Sequence, residues 1–269
     1  VLEAYFSEKM FTNLTAVILP NTDKKTGAQS AYIILSIPKI TLRLEIALIR
    51  GNSLFPVEGN GNQNHQSSYE LYNWNDFWFS VYCCYELTSI VDRSLFQSLV
   101  DAIIAVEWNH DINYYSNIIE SLSRDVHCYC IQVNTSDYGD SRITQQKEEK
   151  KDILRTKGGT NAAVLVGKIE IAKLREFQAK TYELQKDDSM YKPTPPNFNS
   201  EAAYKKLIGQ MSAEYNESIL RKKCDCFNGL LGEEIYLKQR NCNYIDIVTK
   251  SATAQQERSF AVADFFHVA

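Results

Sequence analysis

The sequence predicts an α/β fold in which helices cover a β-sheet. Between residues 77 and 171, apolar stretches typical of strands alternate with stretches whose apolar residues recur at helical spacing. This alternation is typical of a layer of helices packed over a sheet. Earlier in the chain, two apolar runs flank a polar segment that contains glycine, which indicates neighbouring antiparallel strands.

The first of these runs is NLTAVILP at residues 13–20, and the second is AYIILSIP at residues 31–38. Lys39 follows directly and opens the stretch KITLRLE, which ends at Glu45. Residues 51–68 are rich in glycine and asparagine, and the length of this segment favours a lid or an insert without regular structure.

The α/β region itself follows in regular order. The run FWFSVYCC is rich in aromatic and β-branched residues, as strands are, and AIIAV has the continuous apolar character of a buried strand. The predicted elements are strands at residues 77–84, 102–106, 126–133 and 162–171 and helices at residues 89–100 and 113–125.

The character of the chain changes after residue 178. Residues 182–200 include KPTPPNF, and because of the prolines we expect neither a helix nor a central strand there, but a linker or an arm. Residues 200–221 have a helical pattern, with Ser200 as a candidate N-cap. The resulting division is a domain at residues 1–178, an arm at 179–200 and a mixed, largely helical extension at 201–269.

Composition excludes several classes of protein. A net charge of −4 gives no electrostatic reason for this segment to bind nucleic acid. No apolar run approaches the ~18 residues that a membrane helix needs, so we expect no membrane partner. Seven cysteines scattered over 269 residues fit a reducing compartment better than a disulfide scaffold, and we expect a cytoplasmic protein.

Two C-x-C pairs raise the question of a metal site. Cys128 and Cys130 lie on a predicted strand and share one face of it, as core residues do, while Cys224 and Cys226 lie near the C-terminal end. This spacing is not that of a zinc ribbon, and no histidine pair accompanies it, so we expect neither a metal nor any other cofactor.

The strongest candidate for chemistry is the thiol pair Cys83 and Cys84, at the end of a predicted strand. Two such cysteines can be plain core residues, since free cysteine is among the most buried residue types. A nucleophilic cysteine must instead be a thiolate with a cation or base nearby, and attack on an amide or nitrile also needs an oxyanion donor and an acid/base. Lys39 and the carboxylate of Glu45 would complete a chemically sufficient set with Cys84.

Four pieces of the chain, in this order, resemble the nitrilase, or carbon–nitrogen hydrolase, superfamily. They are the lysine block KITLRLE, the nucleophile elbow CYEL, the substrate-side loop VEWN, and the arginine helix SRD with the strand and glycine turn that follow. The resemblance spans residues 13–178. It implies a four-layer αββα sandwich and a Glu-Lys-Cys mechanism that hydrolyses a small amide or nitrile.

The resemblance also implies roles for single residues. Cys84 is the nucleophile, because an aromatic residue and then an acid follow it, and because strand alternation places Cys83 on the opposite face. Lys39 stabilises the thiolate and the tetrahedral intermediate, although the alternative is a solvated lysine after a strand. Glu45 holds Lys39 in place, and Glu86 bonds the backbone near the elbow.

On the substrate side, the resemblance points to Glu107 and Asn109. Asparagine in a loop is more often a turn former, and this alternative remains for Asn109. The chain departs from the family at its general base, a glutamate that normally lies well ahead of the lysine. Glu3, in the strand-like stretch VLEAYF, is a candidate, but its distance to the next strand is short, and the base is expected before Val1.

A narrower resemblance concerns the phrases VYCCYEL, IQVNTSDYGDSRITQ, GKIEIAKLREFQ and YKPTPPNF. They are similar to the nitrilase-type domain that is fused to bacterial reverse transcriptases acting in defence against phage. This implies that an RNA-directed DNA polymerase precedes the segment and handles nucleic acid.

Two hypotheses of different classes stay open. The first is an active thiol amidohydrolase that forms a thioester or thioimidate at Cys84. The second is a catalytically silent module with a nitrilase-type fold, used for oligomer assembly or ligand sensing beside a polymerase. Since superfamily members commonly pair through the helices that follow the cysteine, we expect a homo-oligomer under either hypothesis.

Overall fold

A computed structural model describes residues 2–7, 10–22, 25–27, 29–36, 71–147, 149–159, 164–212, 215–216, 218–220 and 258–263. The chain divides into two compact units, Val1–Glu70 and Leu71–Ala269.

The first unit contains a three-stranded antiparallel sheet. Its strands, in the order β1-β2-β3, are β1 (Leu2–Ser7), β2 (Met10–Thr22) and β3 (Gln29–Ser36). The antiparallel pairing predicted for residues 13–20 and 31–38 is confirmed, with Thr15 opposite Ser36 and Thr22 opposite Gln29. Glu3 lies on β1, opposite Asn13 of β2.

The second unit is built on a six-stranded mixed sheet. Its strands, in spatial and chain order, are β4 (Tyr72–Trp74), β5 (Phe77–Cys83), β6 (Ala102–Val106), β7 (Tyr129–Val133), β8 (Arg142–Thr144) and β9 (Asp152–Arg155). β5, β6 and β7 are parallel, and the other neighbours pair antiparallel. The α/β class is therefore confirmed, whereas the four-layer sandwich remains a prediction.

Helices connect and flank these strands. They are α1 (Ile90–Ser94), α2 (Ile112–Leu122), α3 (Ile171–Gln178), α4 (Tyr182–Asp187) and α5 (Ser200–Leu207). A 3₁₀ helix, Cys84–Thr88, follows β5, and a π-helical turn, Ser123–His127, follows α2. A separate antiparallel pair consists of β10 (Val164–Ile169) and β11 (Arg258–Ala263).

Several predicted helices end earlier than their apolar pattern. The helix expected at residues 89–100 stops at Ser94, and turns follow from Leu95 to Leu99. Within these turns, Ser98 has a left-handed backbone (φ 72°). There the Ser98 hydroxyl accepts the N–H of Asn199 at 2.8 Å. The helix expected at residues 200–221 stops at Leu207, ahead of Gly209 with φ 68°, because a glycine in this conformation ends a helix.

The prediction that residues 182–200 contain no helix is wrong in its first part. α4 forms there because the prolines begin only at Pro193, six residues after the helix ends at Asp187. From Lys192 onward the segment has no regular structure until α5, as its prolines predict.

Apolar side chains join the sheet to the last helix. Trp78 of β5, Leu99 and Ala202 of α5 pack with Met211 and Ile219 in one cluster. α2 contributes a second buried face through positions at helical spacing: Tyr115, Ile118, Ile119 and Leu122. None of the helices in the ranges described above is long and apolar enough to cross a membrane.

A buried charge cluster fixes α3 and α5 at the amino end of β6. Asp101, fully buried, accepts bonds from Arg175 of α3 at 2.6 and 3.0 Å and from the N–H of Trp78 at 2.9 Å. Lys206 of α5, also fully buried, lies 3.4 Å from the same carboxylate. Burial alone would raise the pKa of Asp101, but the charges of Arg175 and Lys206 outweigh it, so the pKa is lowered and the group is ionised.

Candidate functional site

Three polar residues follow the three parallel strands at their carboxyl ends. Cys84 comes after β5, Glu107 after β6 and Asn134 after β7. The last residues of the three strands are in register, with Cys83 opposite Val106 and Val106 opposite Val133. The three polar residues that follow them therefore lie at the same edge of the sheet. In open α/β sheets, ligands bind in the crevice outside this edge.

Cys84 begins a sharp turn. Its backbone has φ 32°, a left-handed conformation that costs a non-glycine residue roughly 1–3 kcal/mol and is concentrated at functional sites. The carboxylate of Glu86, 2% exposed, holds the turn by accepting the backbone N–H of Cys83 at 2.7 Å. The prediction that Glu86 bonds the backbone near the elbow is confirmed.

The two thiols occupy different environments. Cys83 is buried in β5, while Cys84 is only partly buried. The Sγ of Cys84 lies 3.8 Å from the hydroxyl oxygen of Tyr115, which α2 brings to the edge. Burial, together with the nearby Cys84 and Glu107, raises the pKa of Tyr115, so its hydroxyl keeps its proton. A protonated hydroxyl at this place can donate a hydrogen bond to a thiolate.

Glu107 is a buried carboxyl group at the same edge. Its side chain is 1% exposed, and its Oε2 accepts a bond from the side-chain amide of Gln132 at 2.7 Å. Its Oε1 has no hydrogen-bond partner among the described residues. Burial raises the pKa of Glu107 to about 8, while the Gln132 bond and the charge of Arg142 oppose this rise. At neutral pH the group is therefore mainly a neutral carboxylic acid.

Arg142 of β8 determines how Gln132 meets Glu107. Its side chain is fully buried, and its Nε donates to Oε1 of Gln132 at 2.9 Å. Its Nη2 donates to the carbonyl of Ser116 at 2.8 Å, which ties β8 to α2. Because the guanidinium can only donate, the Gln132 amide must present its oxygen to Arg142 and its NH₂ to Glu107. The orientation of the Glu107 carboxyl is thereby fixed.

Asn134 shapes the loop that carries Glu107 and Asn109. Its amide donates to the carbonyls of Asn109 at 2.8 Å and Gly139 at 2.9 Å, and its side-chain oxygen accepts the Asn109 N–H at 3.0 Å. The side-chain oxygen of Asn109 accepts the N–H of Asp111 at 2.9 Å, as a turn former does. The substrate-binding role of Asn109 remains a prediction.

Exposed aromatic side chains neighbour the site residues along the chain. Tyr85 follows Cys84, Trp108 follows Glu107, and Tyr114 precedes Tyr115, with exposed fractions of 42%, 41% and 48%. Aromatic side chains are enriched in contact surfaces, so these three rings are candidates for one.

Two solved structures are similar to this chain. One is a CN-hydrolase superfamily protein from Xanthomonas campestris with an arsenic adduct in its active site; identity is 13%, the TM-score is 0.43, and the match covers 69% of this chain and 67% of that chain. The other is the glutamine-dependent NAD⁺ synthetase from Acinetobacter baumannii in complex with ADP, at 12% identity and a TM-score of 0.32, covering 54% of this chain and 29% of that chain. No protein-family model matches the chain, and neither does any curated protein.

The remaining predicted catalytic residues lie elsewhere. Lys39 and Glu45 fall outside the described residues, in the gap between 36 and 71. Glu3 belongs to the first unit, where its strand position is described and its side chain is not. Their catalytic roles, and those of Cys84 and Glu107, remain predictions.

The core interpretation of the C-x-C pair at the start of β7 is confirmed. Cys128 and Cys130 are fully buried, and burial raises the pKa of the Cys128 thiol well above its usual range. Within the ranges that the structure describes, no group of three or more His, Cys, Asp or Glu side chains could hold a metal ion. The second pair, Cys224 and Cys226, lies outside those ranges.

Sequence analysis missed three residues that support the site: Tyr115, Gln132 and Arg142. Gln132 carried a signal, because a polar amide in the middle of the apolar run CYCIQV is unusual unless it is satisfied in the core. Arg142 carried no such signal, because only the structure shows that all three residues of its short strand are buried. Tyr115 had no distinguishing signal, since it occupies an ordinary apolar position of an amphipathic helix.

Proposed function

We propose that this chain contains a carbon–nitrogen hydrolase domain that cleaves a small amide or nitrile with Cys84 as the nucleophile. The observation that carries this proposal is the position of Cys84: a partly exposed thiol on a left-handed turn at the carboxyl edge of parallel strands. The Tyr115 hydroxyl at 3.8 Å and the neutral carboxyl of Glu107 provide polar groups at the same edge.

In the proposed reaction the Cys84 thiolate attacks the carbonyl or nitrile carbon and forms a thioester or thioimidate. Water then releases the product and restores the thiolate. Lys39 would stabilise the thiolate and the oxyanion, and Glu45 would position Lys39. Glu3, or a glutamate before Val1, would serve as the base that the superfamily uses. The order of the motifs KITLRLE, CYEL and VEWN supports this assignment.

The first prediction concerns selective reactivity of Cys84. Iodoacetamide should modify the intact protein rapidly at one thiol, because Cys84 is partly exposed whereas Cys83 is buried. Mass spectrometry of wild type, Cys83→Ser and Cys84→Ser identifies the site. Cys83→Ser should keep the rapid phase, and Cys84→Ser should lose it.

Turnover is then measured as ammonia release from a panel of small amides and nitriles. Cys84→Ala should abolish it. Slow labelling of both thiols in the native protein, together with no ammonia release, would instead support the hypothesis of a catalytically silent module. The exposed rings of Tyr85, Trp108 and Tyr114 favour this second candidate, since they offer a contact surface for assembly or ligand sensing.

We further propose that the domain acts in the bacterial cytoplasm beside a reverse transcriptase in defence against phage, and that it self-associates there. The four phrases similar to such fusions support this context. Phage plaque counts with the full-length protein and its Cys84→Ala variant test whether defence needs the thiol. Unchanged protection by the variant would leave assembly or sensing as the role.

A further inference from the structure

The Glu107 carboxyl is buried, yet only one of its two oxygens has a hydrogen-bond partner among the described residues. It is almost fully buried, its Oε2 is held by Gln132 at 2.7 Å, and its Oε1 has no partner in the described part of the chain. A buried polar atom without a partner is destabilising, so the unpartnered Oε1 calls for an explanation. A carboxylic acid whose second oxygen is left uncommitted for proton transfer provides one.

We propose that Glu107 is an acid/base residue of the Cys84 site and donates its proton to the departing nitrogen. This inference rests on the proposed hydrolase function. It differs from the roles expected from sequence, in which Glu107 contacts substrate and another glutamate moves the protons.

The geometry supports this role in two ways. Cys83 and Val106, the last residues of β5 and β6, are opposite each other. Cys84 and Glu107 directly follow them and are therefore neighbours in the sheet register. The Tyr115 hydroxyl bonds to Cys84 and also senses the charge of Glu107, which places all three groups within electrostatic range.

Three other described carboxyl groups near this edge are engaged in hydrogen bonds or ion pairs, although Oδ2 of Asp140, like Oε1 of Glu107, has no hydrogen-bond partner in the described part of the chain. Glu86 accepts the N–H of Cys83, Asp111 caps α2 through the N–H of Tyr114 at 3.2 Å, and Asp140 pairs with Arg155. Glu107 is also the one that burial keeps protonated at neutral pH, as an acid catalyst requires.

Glu107 loses a proton in the first step of the proposed reaction and regains one in the second. In the first, the Cys84 thiolate adds to the amide carbon, the C–N bond breaks, and the Glu107 carboxylic acid gives its proton to the nitrogen. This yields an amine, a thioester and a Glu107 carboxylate. In the second, that carboxylate takes a proton from water, the hydroxide adds to the thioester carbon, and the C–S bond breaks. The products are a carboxylic acid, the thiolate and protonated Glu107.

The test compares an amide with an activated ester in wild type and Glu107→Gln. The substituted amide can still accept the Gln132 bond through its oxygen, so the fold is retained. Amide turnover should fall by about 100-fold or more, because nitrogen leaves only when protonated. The burst of p-nitrophenolate from p-nitrophenyl acetate should change by less than about threefold, because this phenolate leaves without a proton.

The pH profile gives a second readout. Wild-type amide turnover should decline above about pH 8 as the acid ionises, and the residual turnover of Glu107→Gln should lack this decline. Glu201→Gln is the matched control: it makes the same change on α5, at an exposed glutamate that pairs with Lys205 at 3.3 Å, and should behave like wild type.

The outcomes separate the two proposals. Equal amide turnover in Glu107→Gln and wild type would overturn the role of Glu107 and leave the hydrolase proposal standing. An equal loss of ester burst and amide turnover would also overturn it, since Glu107 would then serve binding or structure. A wild-type protein that gives neither burst nor turnover would overturn the hydrolase proposal and this inference together.

Discussion

At the scale of single residues, His127 shows how strongly burial controls protonation in this protein. The imidazole is 1% exposed, stacks on Phe177 with ring centroids 5.9 Å apart, and bonds to the carbonyl of Lys192 at 2.7 Å. Gln178 contacts its other nitrogen at 3.2 Å. Burial lowers the pKa of His127 to about 4.

This shift predicts loss of stability in mild acid. Above the unfolded-state pKa of about 6.5 the imidazole is neutral in both states, and its contribution is fully present. As the pH falls from there to about 4, the unfolded chain binds a proton that the folded protein does not, which lowers the free energy of unfolding by about 3 kcal/mol. Urea unfolding at several pH values between 4 and 7 measures the slope.

His127→Asn is the comparison variant. Asparagine tolerates the left-handed backbone at position 127 (φ 60°), and its side chain does not titrate between pH 4 and 7. The variant should be less stable than wild type at pH 7, with a difference that narrows towards pH 4. Parallel curves for the two proteins would rule out a neutral, buried His127.

At the scale of elements, two loops meet through glycine backbones. Gly139, after β7, has φ 77°, and a Cβ added there would lie 2.1 Å from the carbonyl oxygen of Lys157, after β9. The carbonyl of Gly139 also accepts a bond from Asn134, which holds the loop of Asn109. The close approach of these loops therefore supports the carboxyl edge of the sheet.

Gly139→Ala should accordingly lower the free energy of unfolding by about 3 kcal/mol or more, because left-handed strain adds to a backbone clash. It should also change the rate at which iodoacetamide modifies Cys84. Gly209→Ala is the control, since Gly209 has φ 68° but open space around it, and should cost only about 1 kcal/mol. Thermal unfolding and labelling rates are measured for both variants. An equal loss of stability in the two would contradict the predicted clash at Gly139.

The elements also show what sequence reasoning can and cannot reach. β6 matches its predicted bounds, because the apolar run AIIAV is a local signal. The end of α1 does not, because Ser98 takes its conformation beside Asn199, a residue 101 positions later. The site divides in the same way: residues directly after strands could be picked from the pattern, whereas Tyr115 and Arg142 reach it through packing that no local pattern encodes.

At the scale of the whole second unit, the charge cluster around Asp101 joins sheet and helices. Asp101→Asn should lower the free energy of unfolding by about 3–5 kcal/mol, because Lys206 would remain fully buried without a counter-charge and Arg175 would keep only its pair with the exposed Asp76. Chemical denaturation at pH 7 measures the loss.

A surface pair on α5 is the control for this change. Glu201→Ala removes the 3.3 Å pair between this exposed side chain and Lys205 and should alter stability by less than about 1 kcal/mol. A comparably small loss in Asp101→Asn would show that the cluster does not hold the two helices.

β6 separates two carboxyl groups of opposite character. Asp101, ionised, precedes this strand, and Glu107, mainly neutral, follows it, six residues and therefore about 20 Å away along the extended backbone. At that separation the free-energy effects of substitutions are normally additive. Substitutions that strengthen the cluster at Asp101 should therefore leave the end of β6 that carries Glu107 unaffected, so the two ends can vary independently.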